Sequence, residues 1–356
     1  MPAIYPFRAV QYNNGSGDVS ARVAPPYDVL SAEQKAAFLA KDPTNVVSID
    51  LPHVPPKELG PARAYADAAE TLERMLADGT LARREKPAIF VYRQTFTIEG
   101  KQFQRTGVAC TVDAVPFGPR AGGGVLPHEQ TFSGPKEDRK ALMEATATQL
   151  SPIFGLHPDD DGVATKIARG VCDSHSPDMT ADLGDGVMHE VWTVDDDSTV
   201  RAYQDALAGE DVFIADGHHR YNTALNYLDS RGDVPADHPA RRTMFVLVSM
   251  SDPGLYIGPT HRVLGGMAGY SIEAFQEAAQ GIFNIEPCDN NPEKFDHEIE
   301  HVAARGHDNV LGIMDFATGL CFCGYPATPD PLEDRFGDKP KAWRTLDVAV
   351  VQHLIV

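Results

Sequence analysis

The spacing of hydrophobic and polar positions changes several times along this chain, and each change marks an element. From Pro55-Pro56 through Leu76, small and apolar residues (Ala62, Tyr65, Ala66, Ala69, Leu72, Leu76) recur at helical spacing, and Gly79 supplies the stop. The period then shortens. Residues 88–98 and 103–112 are β-rich and flank Glu99-Gly-Lys101, the pattern of a hairpin. Upstream, Ala24-Pro-Pro-Tyr-Asp28 must run as an extended turn, because consecutive prolines fix φ and remove N–H donors. Asp42-Pro-Thr-Asn45 is a second turn, leading into a short strand at 46–51.

Beyond the hairpin, a Gly/Pro-rich loop at 116–124 leads into Val125-Leu-Pro-His-Glu129, and Ser133-Gly-Pro135 starts a helix over 136–149. A helix at 199–207 precedes a short buried strand, 211–215, that ends on Asp216-Gly217. The next helix, 218–230, has Tyr221, Leu225 and Leu228 on one side. A second buried strand at 243–250 is followed by a helix at 272–282, strands at 310–315 and 320–325, and an apolar helix at 345–356. That last helix stops at Val356 without a polar tail, as expected of a chain that continues further.

Composition narrows the possibilities. The 356 residues carry 31 Lys and Arg against 51 Asp and Glu, a formal charge of −20. Such a chain repels phosphate backbones and anionic lipid, which disfavours general nucleic-acid or membrane-surface binding, although local Arg and His clusters can still hold small anions. The five cysteines are scattered and include no CxxC pair, so they are expected as reduced core thiols. No signal peptide opens the chain, and its apolar runs fall short of the roughly 20 residues that span a bilayer, so a cytoplasmic protein is expected.

The sharpest chemical signal is Phe213-Ile-Ala-Asp-Gly-His-His-Arg220. A hydrophobic strand enters a glycine turn and then a helix whose first turn carries His218, His219 and Arg220. Helix starts present backbone N–H groups and the positive end of the dipole, so they hold anions. Gly217 permits close approach, Arg220 offers a planar fork, and Asp216 is placed to cap the helix or orient a histidine. The bland alternative is a capped, solvated turn.

A second signal is Leu126-Pro-His-Glu129, where a glutamate beside a histidine in a rigid turn suits a general base. By itself that turn is equally a surface loop. Lys136 and Arg139 lie close by at a helix start, against the usual dipole preference. Gly258-Pro-Thr-His-Arg262 pairs His261 with Arg262, and Tyr27, Asp28 and Asn45 form a fourth group of unassigned role.

Taken together, Ala24-Pro-Pro-Tyr-Asp28, Asn45, Pro127-His-Glu129-x-Thr131, Lys136-x-Asp-Arg139, Ser151-Pro-Ile-Phe154, Ala215-Asp-Gly-His-His-Arg-Tyr221 and Pro259-Thr-His-Arg262 resemble the DUF1015 family, often labelled SpoOJ/ParB-like. The resemblance spans essentially the whole chain. More distantly, the Pro-His-Glu turn and the Asp-Gly-His-His-Arg junction are similar to those of free L-serine kinases with a ParB/sulfiredoxin fold. That likeness implies an α+β protein, with an N-terminal extension at 1–87, a ParB/sulfiredoxin-like catalytic core at 88–262 and a C-terminal α/β segment at 263–356.

It also implies a kinase-type enzyme using ATP or ADP with Mg²⁺ to phosphorylate a small hydroxyl compound, free L-serine first among candidates. Glu129 would be the base with His128 beside it. Asp216, Gly217, His218, His219 and Arg220 would hold phosphates, His218 also serving catalysis, and Lys136, Arg139, His261 and Arg262 would receive the substrate. No residue is assigned to a metal. A Walker A sequence is absent, so a P-loop kinase is not expected. Two other readings remain: a metal-dependent hydrolase using these histidines and Glu129, and a nucleotide-binding or ParB-like regulator without catalysis.

Overall fold

A computed structural model describes residues 3–13, 15, 17–56, 58–98, 100–128, 133–258, 261–291 and 294–356, the side chains of 133–135 excepted. Contacts divide the chain into two compact units, Met1–Tyr256 and Ile257–Val356. The protein is of the α+β class, with a mixed sheet in the first unit and a smaller antiparallel one in the second. Residues 1–87 share the first unit with 88–256.

Along the first unit run β1 (Ile4–Tyr5), β2 (Val10–Tyr12), α1 (Ala32–Lys41), α2 (Val47–Asp50), α3 (Ala62–Ala77), β3 (Leu81–Arg83), β4 (Ile89–Ile98), β5 (Lys101–Asp113) and β6 (Val125–Leu126). Then come α4 (Ser133–Thr146), β7 (Ile153–His157), α5 (Val163–Ser174), β8 (Met179–Asp182), β9 (Met188–Val194), α6 (Asp197–Ala206), β10 (Val212–Asp216), α7 (His218–Ser230) and β11 (Arg242–Ser249). The main sheet has the order β6-β10-β7-β11-β5-β4-β9-β8. β1 extends it along β5, pairing Ile4 with Val112. The β10–β6 and β11–β7 pairs are parallel and the others antiparallel.

Strand alternation builds the core. Val91, Val108, Cys110, Trp192, Phe245 and Ile214 project from alternate strand positions into one cluster with Ala164, Ala168 and Cys172 of α5 and Tyr203 of α6. Each such large apolar side chain contributes about 1.5–3 kcal/mol by leaving water. In α3 the buried stripe is Tyr65, Ala68, Leu72 and Met75, at heptad-like spacing and one step round from the expected stripe. α4 packs between α3 and α7.

Several elements differ from the sequence expectation: the helix expected from Pro55-Pro56 begins at Ala62, and the helix expected at 345–356 is a short α-helix at Asp347–Val350 followed by a π-helical turn at Val351–Ile355. Residues 46–51 form no strand: α2 occupies Val47–Asp50. The cause is Asn45, whose side-chain oxygen accepts the Val47 N–H at 3.0 Å and so seeds a helical turn. The helix expected at 272–282 ends at Ala279, just before Gly281 at φ +75°.

In the second unit, β12 (Phe283–Pro287), β13 (Leu311–Asp315) and β14 (Leu320–Pro326) form an antiparallel sheet in the order β12-β14-β13. α8 (Ile272–Ala279) contacts β12, and α9 (Phe295–Ala303) contacts β13 and β14. All five cysteines are free, and four of them are buried. No helix among the described residues is long and apolar enough to cross a membrane.

Candidate functional site

Motifs far apart in sequence meet where β7 and β10 hand over to the α3–α4–α7 layer. Asn45 builds one wall. It is fully buried, its amide donates to the carbonyls of Ala21 and Val23 at 2.9 Å each, and it thereby pins the chain that enters the Pro25-Pro26 turn. That turn delivers Tyr27, 5% exposed, onto Arg139 of α4, whose guanidinium carbon lies 3.8 Å from the ring centroid.

Arg139 is the hub. Its Nη1 donates to the Asp50 carbonyl at 2.7 Å and to Asp50 Oδ1 at 3.3 Å, while Nε donates to Asp138 Oδ2 at 2.8 Å. Asp138, fully buried, uses its other oxygen to accept the Tyr65 hydroxyl at 2.8 Å and to pair with His53 Nε2 at 2.8 Å. Asp50 in turn accepts the Ser151 hydroxyl at 2.6 Å. Gly60 completes the ring by donating its N–H to the Tyr65 hydroxyl at 2.7 Å. A Cβ there would fall 2.3 Å from the His53 ring, so only glycine lets the two segments close.

Burial shapes the titration of this cluster. It raises the Asp50 carboxyl despite the opposing pull of Arg139 and the Ser151 hydrogen bond. It also lifts Tyr27 to about 12 against Arg139 and Arg220, and Tyr65 to about 12. Neither phenol ionises at neutral pH.

The strand–turn–helix junction closes the other side. Gly217 has φ +99°, and Arg220 folds back over it to pair with Asp216 and donate to the Pro152 carbonyl. A Cβ on residue 217 would lie 3.1 Å from Arg220 Nε, so the glycine makes room for the arginine of its own motif. The bland alternative of a solvated turn does not describe the junction: His218 is buried and Arg220 nearly so, while Asp216 is exposed and His219 half-buried. The N-cap of α7, Gly217, has no side chain to cap the helix, and a helix start of this kind favours an anion. Asp50, Arg139, Ser151 and Arg220 line one crevice of about 40 Å³, room for a few waters rather than a metabolite.

The Leu126-Pro-His turn docks onto this junction. The His128 N–H donates to His218 Nε2 at 3.2 Å, and the two rings meet edge to face with centroids 4.4 Å apart. His128 Nδ1 lies 2.8 Å from the Ile214 carbonyl. A carbonyl only accepts, so the neutral His128 ring carries its proton on Nδ1, and by the same logic His218 carries its proton on Nδ1.

The sequence-derived site residues are therefore partly assembled. His128 and Asp216 through Arg220 converge. Lys136, half-buried, sits in the first turn of α4, where its carbonyl accepts the Thr223 hydroxyl at 3.5 Å. Glu129 lies outside the described residues. Arg139 is 7% exposed and already engaged by Asp138, Asp50 and Tyr27, so its expected substrate role would require displacing one of them. His261 and Arg262 belong to the second unit, on the exposed stretch 261–270. Asp50, His53 and Tyr65 were not foreseen as parts of a polar site. One signal was available: Leu51-Pro-His53 repeats the Leu126-Pro-His128 tripeptide. Among the described residues no three His, Cys, Asp or Glu side chains are grouped to hold a metal ion.

The fold and site thus define an α+β protein with a polar, arginine-centred network beside a strand–glycine–helix junction. Residues 4–349 match the family described as protein of unknown function (DUF1015), and the chain belongs to that family. No curated protein and no solved structure matches it.

Proposed function

We propose that the protein is a nucleotide-dependent phosphotransferase acting on a small hydroxyl metabolite, with free L-serine the first acceptor to test. The observation that carries this reading is the contact between His128 and His218. It sets the Leu126-Pro-His128 turn against the Asp216–Arg220 junction, although some 90 residues separate them. The resemblance to ParB/sulfiredoxin-like serine kinases asks for that same juxtaposition.

In this account the α7 start and Arg220 receive the phosphates of ATP or ADP, and Glu129 accepts the proton of the attacking hydroxyl. Positioning and electrostatic stabilisation would then supply most of the catalysis, as in phosphoryl transfer generally. Asp216, an exposed carboxylate at the junction, fits a Mg²⁺ that arrives with the nucleotide and otherwise keeps its waters. Bound there, Mg²⁺ would neutralise phosphate charge. Arg220 is held by Asp216 and Pro152 through two of its nitrogens, which leaves further guanidinium N–H groups for phosphate oxygens.

Nucleotide titration of wild type and Arg220→Ala tests the phosphate site. The variant is expected to bind ATP or ADP about ten-fold or more weakly, the scale of one lost charge-assisted hydrogen bond. Equal affinity in the two proteins would remove the junction from phosphate binding.

A further inference from the structure

The face of the main sheet turned away from the core cluster carries polar groups that the reading above does not use. Gln94 of β4 lies opposite Arg105 of β5 on one side and His189 of β9 on the other, so the three share a face, and Tyr92 joins them two residues along. Phe154 of β7 is on it too, because it pairs with Val246, which pairs with Ala109, four positions from Arg105. The alternate positions, Val91, Val108 and Trp192, point into the core.

Arg105 is the unusual group. Its guanidinium carbon lies 5.6 Å from the Phe96 ring centroid and 5.1 Å from that of Phe154, and its Nε and Nη2 donate to Gln94 Oε1 at 3.2 and 2.7 Å. Gln94 is neutral. Arg93, Arg139 and Arg220 each meet a carboxylate, whereas Arg105, half-buried, meets none among the described residues. A cation withdrawn from water without a counter-charge is costly, and an arginine cannot escape by losing its proton. Beside it the Tyr92 hydroxyl and His189 Nδ1 are 2.6 Å apart, and His189 Nε2 is buried without a hydrogen-bond partner among the described residues. Burial, with a smaller push from Arg105, lowers the His189 pKa, so that ring adds no second positive charge.

We propose that Arg105 binds the carboxylate of a small acid whose short carbon chain lies against Phe154. A single guanidinium with no carboxylate in contact with it among the described residues suits one negative charge. The fields of Asp252 on Arg105, and of Asp182 and Asp185 on His189, weigh against a phosphate dianion. The assignment rests on the phosphotransferase reading for its meaning. Phe154 is the register partner of Asp216, so an acid held by Arg105 lies beside the phosphate junction, and the acceptor becomes a hydroxy or amino acid. Arg105 then shares the substrate-binding role expected of Lys136, Arg139, His261 and Arg262, of which Arg139 is already occupied by the network around Asp138.

The test is calorimetric titration, without nucleotide, of wild type, Arg105→Lys and Arg105→Gln with L-serine, L-serinamide, D-glycerate and inorganic phosphate. Serine or glycerate should bind wild type, serinamide should not, and Arg105→Gln should lose about ten-fold or more in affinity. Arg105→Lys, which keeps the charge, should fall between them. The proposal is overturned if neither acid binds wild type, if serinamide matches serine, if phosphate is preferred, or if Arg105→Gln binds the acids unchanged. Unfolding followed by Trp192 fluorescence confirms that each variant is folded. A parallel ATP titration keeps the two readings separable, because failure to bind nucleotide would sink the phosphotransferase while leaving the acid site standing.

Discussion

Replacing Asp138 by asparagine removes the charge that holds three segments together while nearly preserving shape. The carboxylate is fully buried and meets the Tyr65 hydroxyl at 2.8 Å, His53 Nε2 at 2.8 Å and Arg139 at 2.7–2.8 Å. An amide in its place turns one acceptor into a donor facing other donors and leaves Arg139 with Asp50 as its one carboxylate partner among the described residues. Removing one partner of a buried pair costs about 3–5 kcal/mol, and at roughly 2–4 °C per kcal/mol for a unit of this size the melting temperature should fall by about 6–20 °C. The chain has two tryptophans, Trp192 in the first unit and Trp343 in the second, so a Trp343→Phe background leaves one reporter for the unit concerned. Trp192 is fully buried with its indole N–H on the His175 carbonyl at 2.8 Å, and its emission will shift strongly on unfolding. A destabilisation below about 1 kcal/mol, the scale of an exposed ion pair, would mean that Asp138 does not hold the network together.

Gly217→Ala should cost about 1–2 kcal/mol from the left-handed backbone alone and, by crowding Arg220 off Asp216, weaken nucleotide binding as well. Unaltered stability and affinity would show that Arg220 does not fold over the turn. His157 is 1% exposed, and burial lowers its pKa below the ordinary 6.5. The unfolded chain therefore takes up the proton more readily, so the contribution is complete above pH 6.5 and lost as the pH falls through the lowered value. His157→Gln should flatten the decline in stability below pH 6.5 seen by urea denaturation, and an identical slope in both proteins would count against the assignment.

Much of the scaffold was legible because its signals are local. The helix at 218–230 follows a glycine junction and keeps one apolar side, and the 88–112 hairpin is set by alternation around a two-residue connection. The 46–51 segment misled because its run of β-branched residues is overruled by one side chain, Asn45, bonding to the Val47 N–H. The junction around Gly217 stood out as a site, yet its inner logic did not: Arg220 occupies the space that the glycine leaves, which no spacing rule reports. Asp50, His53 and Tyr65 meet Asp138 and Arg139 across 73 to 89 residues of chain, so their coupling exists only in three dimensions. Arg105 was hidden for another reason. A polar residue at an alternate strand position is what a solvated face would show, and only the lack of a carboxylate in direct contact with it among the described residues distinguishes it.

The most direct test of the account is mass spectrometry of L-serine incubated with purified protein, Mg²⁺ and either ATP or ADP, alongside Glu129→Gln. Phosphoserine should form with wild type, and the variant should make it about two to four orders of magnitude more slowly while still binding nucleotide. A metabolite extract tested in parallel covers other hydroxyl acceptors. No phosphorylated product from serine or from the extract, with either donor, would contradict phosphotransfer, and full turnover by Glu129→Gln would remove the proposed base.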